Sequence, residues 1–160
     1  MTTIAVTGHM DLTDSSVPLV RDTLRETLKP YSGDLTGVSC IAEGADSLFA
    51  EVVLELGGHL VAIIPSKDYR TNKVKPGHAA TFDRLTEAAH EVIVLDNETA
   101  NRAAYEAANR ELLRRADRLT AVWDGAPPSG KGGGTTDTVL EAREAGLPVD
   151  VVWPEGAARG

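Results

Sequence analysis

Short runs of apolar, largely β-branched residues alternate along the chain with segments whose apolar residues recur every three or four positions. The runs predict strands at 3–7, 38–42, 59–64, 91–95, 118–123 and 149–153. The segments between them predict helices at 14–29, 45–56, about 101–117 and 136–145, and around Phe82, Leu85 and Ala89. Continuous apolar strands separated by helices are typical of a parallel sheet covered on both faces.

This alternation predicts an α/β fold with one Rossmann-like domain over 1–160. We expect a mostly parallel sheet of about six strands with helices on both faces, and a loose tail in the last few residues. A chain of 160 residues with 42% hydrophobic residues suits one such domain. Cys40 is the only cysteine, which excludes an internal disulfide and a cysteine-based zinc site. We expect no metal and no cofactor.

The charge and the apolar pattern narrow the choice of partners. Asp and Glu number 24 against 16 Lys and Arg, so the formal net charge is −8. Such a surface repels nucleic-acid phosphate, and we therefore expect no general nucleic-acid binding. No apolar run approaches the roughly 18 residues of a membrane span, and no signal-peptide pattern opens the chain, so we expect a cytoplasmic protein away from membranes. A local cluster of donors still permits a small anionic ligand.

A glycine-rich loop at 129–134 precedes the last predicted helix. In parallel sheets, ligands bind at the carboxyl ends of the strands, where helices begin. Consecutive glycines let backbone amides converge on a phosphate, and the helix start adds free N–H groups and the positive end of its dipole. The candidate phosphate-binding residues are Lys131, Gly132, Gly133, Gly134, Thr135 and Thr136. The alternative is a flexible turn with a threonine as N-cap.

Two more loops follow strands at the same edge of the sheet. Gly8 and His9 leave the first strand, and this pair is candidate ligand-binding. After the second strand, Gly44 permits close approach, while Glu43 and Asp46 are candidate acceptors for ribose hydroxyls. Asp46 as a simple helix N-cap is the alternative.

The remaining candidates are cations and a carboxylate. Four of the sixteen cations lie within 67–75, after the third strand, and Lys67 and Arg70 are the candidate phosphate contacts. A solvated charged face is the alternative. Asp124 follows Trp123 at the end of the fifth strand and is a further candidate ligand residue.

Together these motifs resemble the SLOG superfamily, which includes the LOG-type cytokinin riboside monophosphate phosphoribohydrolases and Rossmann-like modules of DNA-processing proteins. The resemblance rests on Thr7-Gly8-His9 and on three longer segments, 43–51, 121–125 and 133–137. It implies a Rossmann-like fold that binds a nucleotide or nucleotide-derived ligand, often as a homodimer.

The sequence departs from the LOG-type hydrolases at their catalytic positions. Their Pro-Gly-Gly-x-Gly-Thr-x-x-Glu motif ends in a glutamate that would align with Thr138, and their Met-x-x-Arg-Lys segment is absent. Binding of a nucleoside monophosphate or an ADP-ribose-like molecule is therefore the first hypothesis. The alternative is a phosphoribohydrolase or N-glycosidase that releases the base, with Asp137 or Glu43 as the catalytic carboxylate.

Overall fold

The computed structural model describes residues 1–128, 130 and 134–160. Within them lies a sheet of six parallel strands in the order β4-β3-β2-β1-β5-β6. The strands are Thr2–Gly8 (β1), Leu35–Ser39 (β2), His59–Ile64 (β3), Glu91–Val94 (β4), Arg118–Val122 (β5) and Val149–Val152 (β6). The predicted α/β fold with a parallel sheet is confirmed.

Helices cover both faces of the sheet. They are Ser16–Leu28 (α1), Ala45–Glu55 (α2), Tyr69–Asn72 (α3), Pro76–Ala88 (α4), Arg102–Arg115 (α5) and Thr135–Glu144 (α6), with a 3₁₀ turn at Lys29–Tyr31. One face carries a core around Phe49 that includes side chains of α1, α2 and α4, and the other carries a core around Leu112 and Val139, from α5 and α6. None of the described helices is long and apolar enough to cross a bilayer.

The strand order creates a crevice between β1 and β5. From β1 to β4 the chain adds strands in one direction, and α5 then returns it to β5 on the other side of β1. The loop after β1 leads to a helix on one face, and the loop after β5 leads to a helix on the opposite face. Loops that diverge in this way leave an opening at the carboxyl ends of the two strands, where open α/β sheets bind their ligands.

Strand β2 ends earlier than the sequence predicts. The sequence predicts a strand at 38–42, but the strand is Leu35–Ser39 and the backbone turns at Ile41, whose φ is +57°. The Ile41 side chain is fully buried, so it satisfies the apolar pattern without belonging to the strand. Positive φ is unfavourable for a β-branched residue. The Ser39 hydroxyl accepts a hydrogen bond from the Ile41 N–H (3.1 Å), and the Ile41 carbonyl lies 3.0 Å from His78 Nε2.

The last residues also differ from the expected loose tail. Arg159 forms an antiparallel bridge with Leu12, and the Ala158 N–H donates to the hydroxyl of the buried Ser16 (2.8 Å). The Gly160 N–H donates to the Asp11 carbonyl (2.6 Å). These are mainly backbone contacts with the loop after β1, and they leave no periodic signal in the sequence.

Candidate functional site

A cavity of about 470 Å³ opens at the carboxyl edge of the sheet. It is bounded by the end of β1, the first turn of α2, one side of α5 and the amino end of α6. Six residues predicted from the sequence line it: Gly8, His9, Asp46, Gly134, Thr135 and Thr136. The wall also contains polar and aromatic residues that the sequence did not single out as ligand contacts, among them Cys40, Tyr69, Lys73, Tyr105 and Arg159.

Gly8 and Gly44 let the loop after β1 and the start of α2 approach each other. A Cβ on Gly8 would lie 2.3 Å from the Ala45 Cβ, and one on Gly44 would lie 2.7 Å from the His9 carbonyl oxygen. Gly44 also has a φ of +82°, which side chains disfavour. The Ala45 N–H donates to the His9 carbonyl across this contact (3.2 Å). Both glycines therefore shape the cavity through backbone packing.

His9 joins the loops that follow β1 and β5. Its Nε2 accepts a hydrogen bond from the Asp124 backbone N–H (3.1 Å), and the Asp124 Oδ1 lies 3.1 Å from the same nitrogen. Burial, aided by the positive charge of Arg159, lowers the pKa of His9. The neutral imidazole is thereby favoured, and its unprotonated nitrogen takes the backbone hydrogen bond. Asp124 does not line the cavity itself, but it contacts His9, which does.

The amino end of α6 supplies hydrogen-bond donors to the cavity. The first N–H groups of a helix have no partner within it. The Gly134 N–H donates to Asp137 Oδ2 (3.4 Å), so this carboxylate caps its own helix. The Thr136 hydroxyl accepts from Trp123 Nε1 (2.8 Å) and donates to the Ala126 carbonyl (2.9 Å), which leaves the Thr135 hydroxyl as the better donor to a ligand. The predicted Lys131, Gly132 and Gly133 lie outside the described residues.

Arg159 brings a positive charge to the mouth of the cavity. Its Nε donates to Asp11 Oδ1 (2.8 Å), and its Nη1 lies 3.7 Å from Asp124 Oδ2. The hydrogen bond from this guanidinium holds the pKa of Asp11 below its usual value. No sequence motif marks Arg159, because its position depends on the pairing of the last residues with the loop after β1.

The cation-rich stretch after β3 places Lys73 in the cavity wall instead of the expected Lys67 and Arg70. Lys67 pairs with Glu98 (2.9 Å) and Asp96 (3.3 Å), and Arg70 pairs with Asp83 (2.7 Å). Neither of these cations lines the cavity, whereas the exposed Lys73 does. Within the described part of the chain, Lys73 forms no ion pair.

Asp46 is a predicted carboxylate that lines the cavity. Burial raises its pKa to about 7, and the Ala42 N–H, which donates to the carboxylate, offsets part of that rise. The N-cap of α2 is Gly44, so the capping alternative for Asp46 does not hold. The exposed Glu43 does not line the cavity.

Comparison with solved structures identifies the type of fold. DNA processing protein A from Streptococcus pneumoniae matches 94% of this chain at 18% identity with a TM-score of 0.67, and this chain spans only 50% of that protein. DNA processing protein A from Helicobacter pylori matches 99% at 16% identity with a TM-score of 0.68, over 68% of its own length. The molybdenum cofactor binding protein from Rippkaea orientalis matches 94% at 18% identity with a TM-score of 0.59, over 75% of its own length.

The chain shares the fold of these proteins. The resemblance seen in the sequence is thus confirmed at the level of the fold. No protein-family model matches the sequence, and no curated protein matches it.

The same comparison corrects one expectation. The expected absence of nucleic-acid binding is wrong as a deduction from net charge, because the Helicobacter pylori protein of this fold is described by its single-stranded DNA binding mode. Net charge is a property of the whole surface, while binding depends on the local potential at one edge of the sheet.

Proposed function

We propose that this SLOG-type domain binds a nucleotide or a nucleotide-derived ligand in the cavity, with a phosphate at the amino end of α6. One observation carries the proposal: a single cavity joins the crevice beside β1 to the first turn of α6 and to the Arg159 guanidinium. Helix amino ends and guanidinium groups are the donors that phosphate prefers.

Two cations line the cavity and two carboxylates, Asp11 and Asp46, balance them, so local donors and not a net positive charge would hold an anionic ligand. Arg159 is shared between two carboxylates and lies at the cavity mouth, while Lys73 lies in its wall on the β3 side. The related fold serves a cofactor-binding protein in Rippkaea orientalis and a single-stranded DNA-binding protein in Helicobacter pylori. Single-stranded DNA presents phosphates, as a nucleotide does.

Gly134→Asp is expected to abolish binding while leaving the protein folded. Gly134 is the N-cap of α6 with extended backbone, and aspartate is a favoured N-cap residue. Among the described residues, a Cβ there would meet only the Asp137 Oδ2, at 3.8 Å, so the substitution adds a negative charge where the proposal puts the phosphate. We expect the rise in melting temperature caused by nucleoside monophosphates or ADP-ribose to disappear.

Gly134→Asn is the matched control, because it has the same shape and capping ability without the charge. It should keep most of the ligand-induced rise in melting temperature. Equal rises in the Asp and Asn variants would contradict a phosphate at this helix end, and no rise with any nucleotide would refute the proposed function.

The hydrolase alternative is tested in the same samples. Asp137 caps α6 and Glu43 lies outside the cavity, so neither is placed beside a bound ribose. We expect chromatography to recover the nucleoside monophosphates intact after long incubation. Release of free base that is lost in Asp137→Asn would favour the phosphoribohydrolase instead.

A further inference from the structure

Strand β4 forms one edge of the sheet and exposes apolar side chains. It pairs with β3, and among the described residues no strand lies on its other side. Val92 is 46% exposed and Val94 is 51% exposed. Both lie on the face of the sheet that carries the Phe49 core, because they are in register with Ala62 and Ile64 of β3. Exposed apolar side chains on an edge strand favour pairing with a further strand.

The opposite edge of the sheet is better protected. Strand β6 packs against α1 and α6 as well as against β5, whereas the main contacts of β4 are with β3. Asp150 places a charge within β6 and is paired with Arg118 (3.0 Å). The charged residue of β4, Glu91, is its first residue, so the rest of the strand is apolar. Charges and covering helices are the usual means by which edge strands avoid association, and β4 has less of both.

The backbone groups on the outer side of β4 belong to Val92 and Val94. Successive residues of a strand direct their N–H and C=O groups to opposite sides. The Leu95 N–H donates to the Ile64 carbonyl of β3 (2.9 Å), so Leu95 and Ile93 direct their N–H groups towards β3. The N–H and C=O groups of Val92 and Val94 therefore point away from β3, where a further strand could bind them.

We propose that β4 pairs with β4 of a second copy of this chain in antiparallel orientation, so that two six-stranded sheets join into one. The two-fold axis passes beside Ile93, which lies opposite the same residue of the second copy. Val92 then lies opposite Val94 of the second copy, and their outward backbone groups form a hydrogen-bonded pair. Such an interface is isologous, as in most homodimers.

The edge is self-complementary in this register. Four valines, two from each copy, form one apolar cluster on one face. At each end of the paired segment, His90 of one copy lies opposite Asp96 of the other. The Leu60 N–H donates to His90 Nδ1 (3.2 Å), so the neutral imidazole carries its proton on Nε2 and can donate it to a carboxylate. A shift of two residues in either direction would place a valine opposite His90 or Asp96. The complementarity of the edge with itself favours a second copy over a different protein.

This dimer is independent of the proposed ligand. No described residue of β4 lines the cavity. Because the two sets of strands run in opposite directions, the two cavities open at opposite edges of the joined sheet. Assembly and nucleotide binding are therefore separate measurements, and the failure of one leaves the other intact.

Val92→Lys is expected to separate the two copies. Sedimentation velocity of the unaltered protein should give twice the mass of one chain. The variant should weaken the dimer at least about a hundredfold, since the interface would bury one lysine from each copy. Val151→Lys is the matched control, because Val151 is similarly exposed (48%) on the other edge strand, β6, and it should leave the dimer intact. Melting curves of each variant confirm that it is folded.

Single cysteine substitutions test the register. Ile93→Cys should form an intermolecular disulfide under mild oxidation, because opposite residues of a non-hydrogen-bonded pair have Cα atoms about 4.5 Å apart, within the range of a disulfide. Val92→Cys should not, since the two copies of that residue are diagonal neighbours more than about 7 Å apart. Cys40 is buried, so the unaltered protein is the control. A protein that stays monomeric throughout a concentration series, a dimer that survives Val92→Lys, or a cross-link in Val92→Cys alone would overturn the proposal.

Discussion

At pH 8, Asp46→Asn is expected to be more stable than the unaltered protein. Burial raises the pKa of Asp46 to about 7 from the model-peptide value near 4. Between these two values the folded protein keeps a proton that the unfolded chain releases, so the free energy of unfolding falls as the pH rises through this window. At about 1.4 kcal/mol per pKa unit, the loss is on the order of 4 kcal/mol and is complete above pH 7.

Asparagine cannot ionise, and its side-chain oxygen still accepts the Ala42 N–H. Urea unfolding at pH 4 and pH 8 measures the effect. The two proteins should have similar free energies of unfolding at pH 4, and the variant should have the larger free energy of unfolding at pH 8. An Asp46→Asn protein less stable than the unaltered one at pH 8 would contradict the interpretation.

Asp124→Asn is expected to change the free energy of unfolding in the opposite direction to Asp46→Asn. The Ala126 N–H is the main cause that lowers the pKa of Asp124, with the neighbouring His9 and Arg159 contributing. A lowered folded pKa stabilises the protein above the unfolded pKa, and this stabilisation is lost as the pH falls through the folded value. Asp124→Asn should therefore destabilise the protein at pH 8, by an amount that shrinks in acid.

The two results for Asp46 together distinguish a ligand group from a structural one. A carboxylate that lowers the stability of the folded protein at neutral pH is retained where function requires it. Asp46→Asn should gain stability and lose affinity for a nucleotide in the cavity in the same protein. A residue that only supports the fold would show neither effect.

Gly44→Ala is expected to be strongly destabilising. Its φ of +82° and ψ of −126° are accessible essentially to glycine alone, and its added Cβ would lie 2.7 to 2.9 Å from backbone atoms of His9 and Met10. Backbone atoms cannot move aside as the end of a side chain can. Backbone strain and overpacking together should lower the free energy of unfolding by about 3–5 kcal/mol.

Gly57→Ala separates the two causes, because Gly57 also has positive φ (+73°), but no atom of the described residues lies within 4 Å of an added Cβ. That variant should lose only about 1–2 kcal/mol. Urea unfolding of both variants at one pH gives the comparison. Equal losses would show that the approach of α2 to the loop after β1 does not matter to stability.

The strand pattern and the positions of the loops could be predicted from the sequence because they depend on local properties. Buried parallel strands are continuous apolar runs, and Gly8, Gly44 and Gly134 occupy places where chain segments approach or helices begin. The error at β2 has the same origin, since the pattern reports that Ile41 is buried and not how its backbone turns.

The sequence by itself determined the parallel α/β architecture and the edge of the sheet at which the cavity opens, since both follow from the order of apolar runs and helix starts. Only the tertiary structure decided which polar groups reach the cavity. Lys67 and Arg70 form ion pairs with nearby carboxylates, while Arg159, near the carboxyl end of the chain, lies in the cavity wall. Such choices depend on long-range packing and charge pairing, which no local pattern encodes.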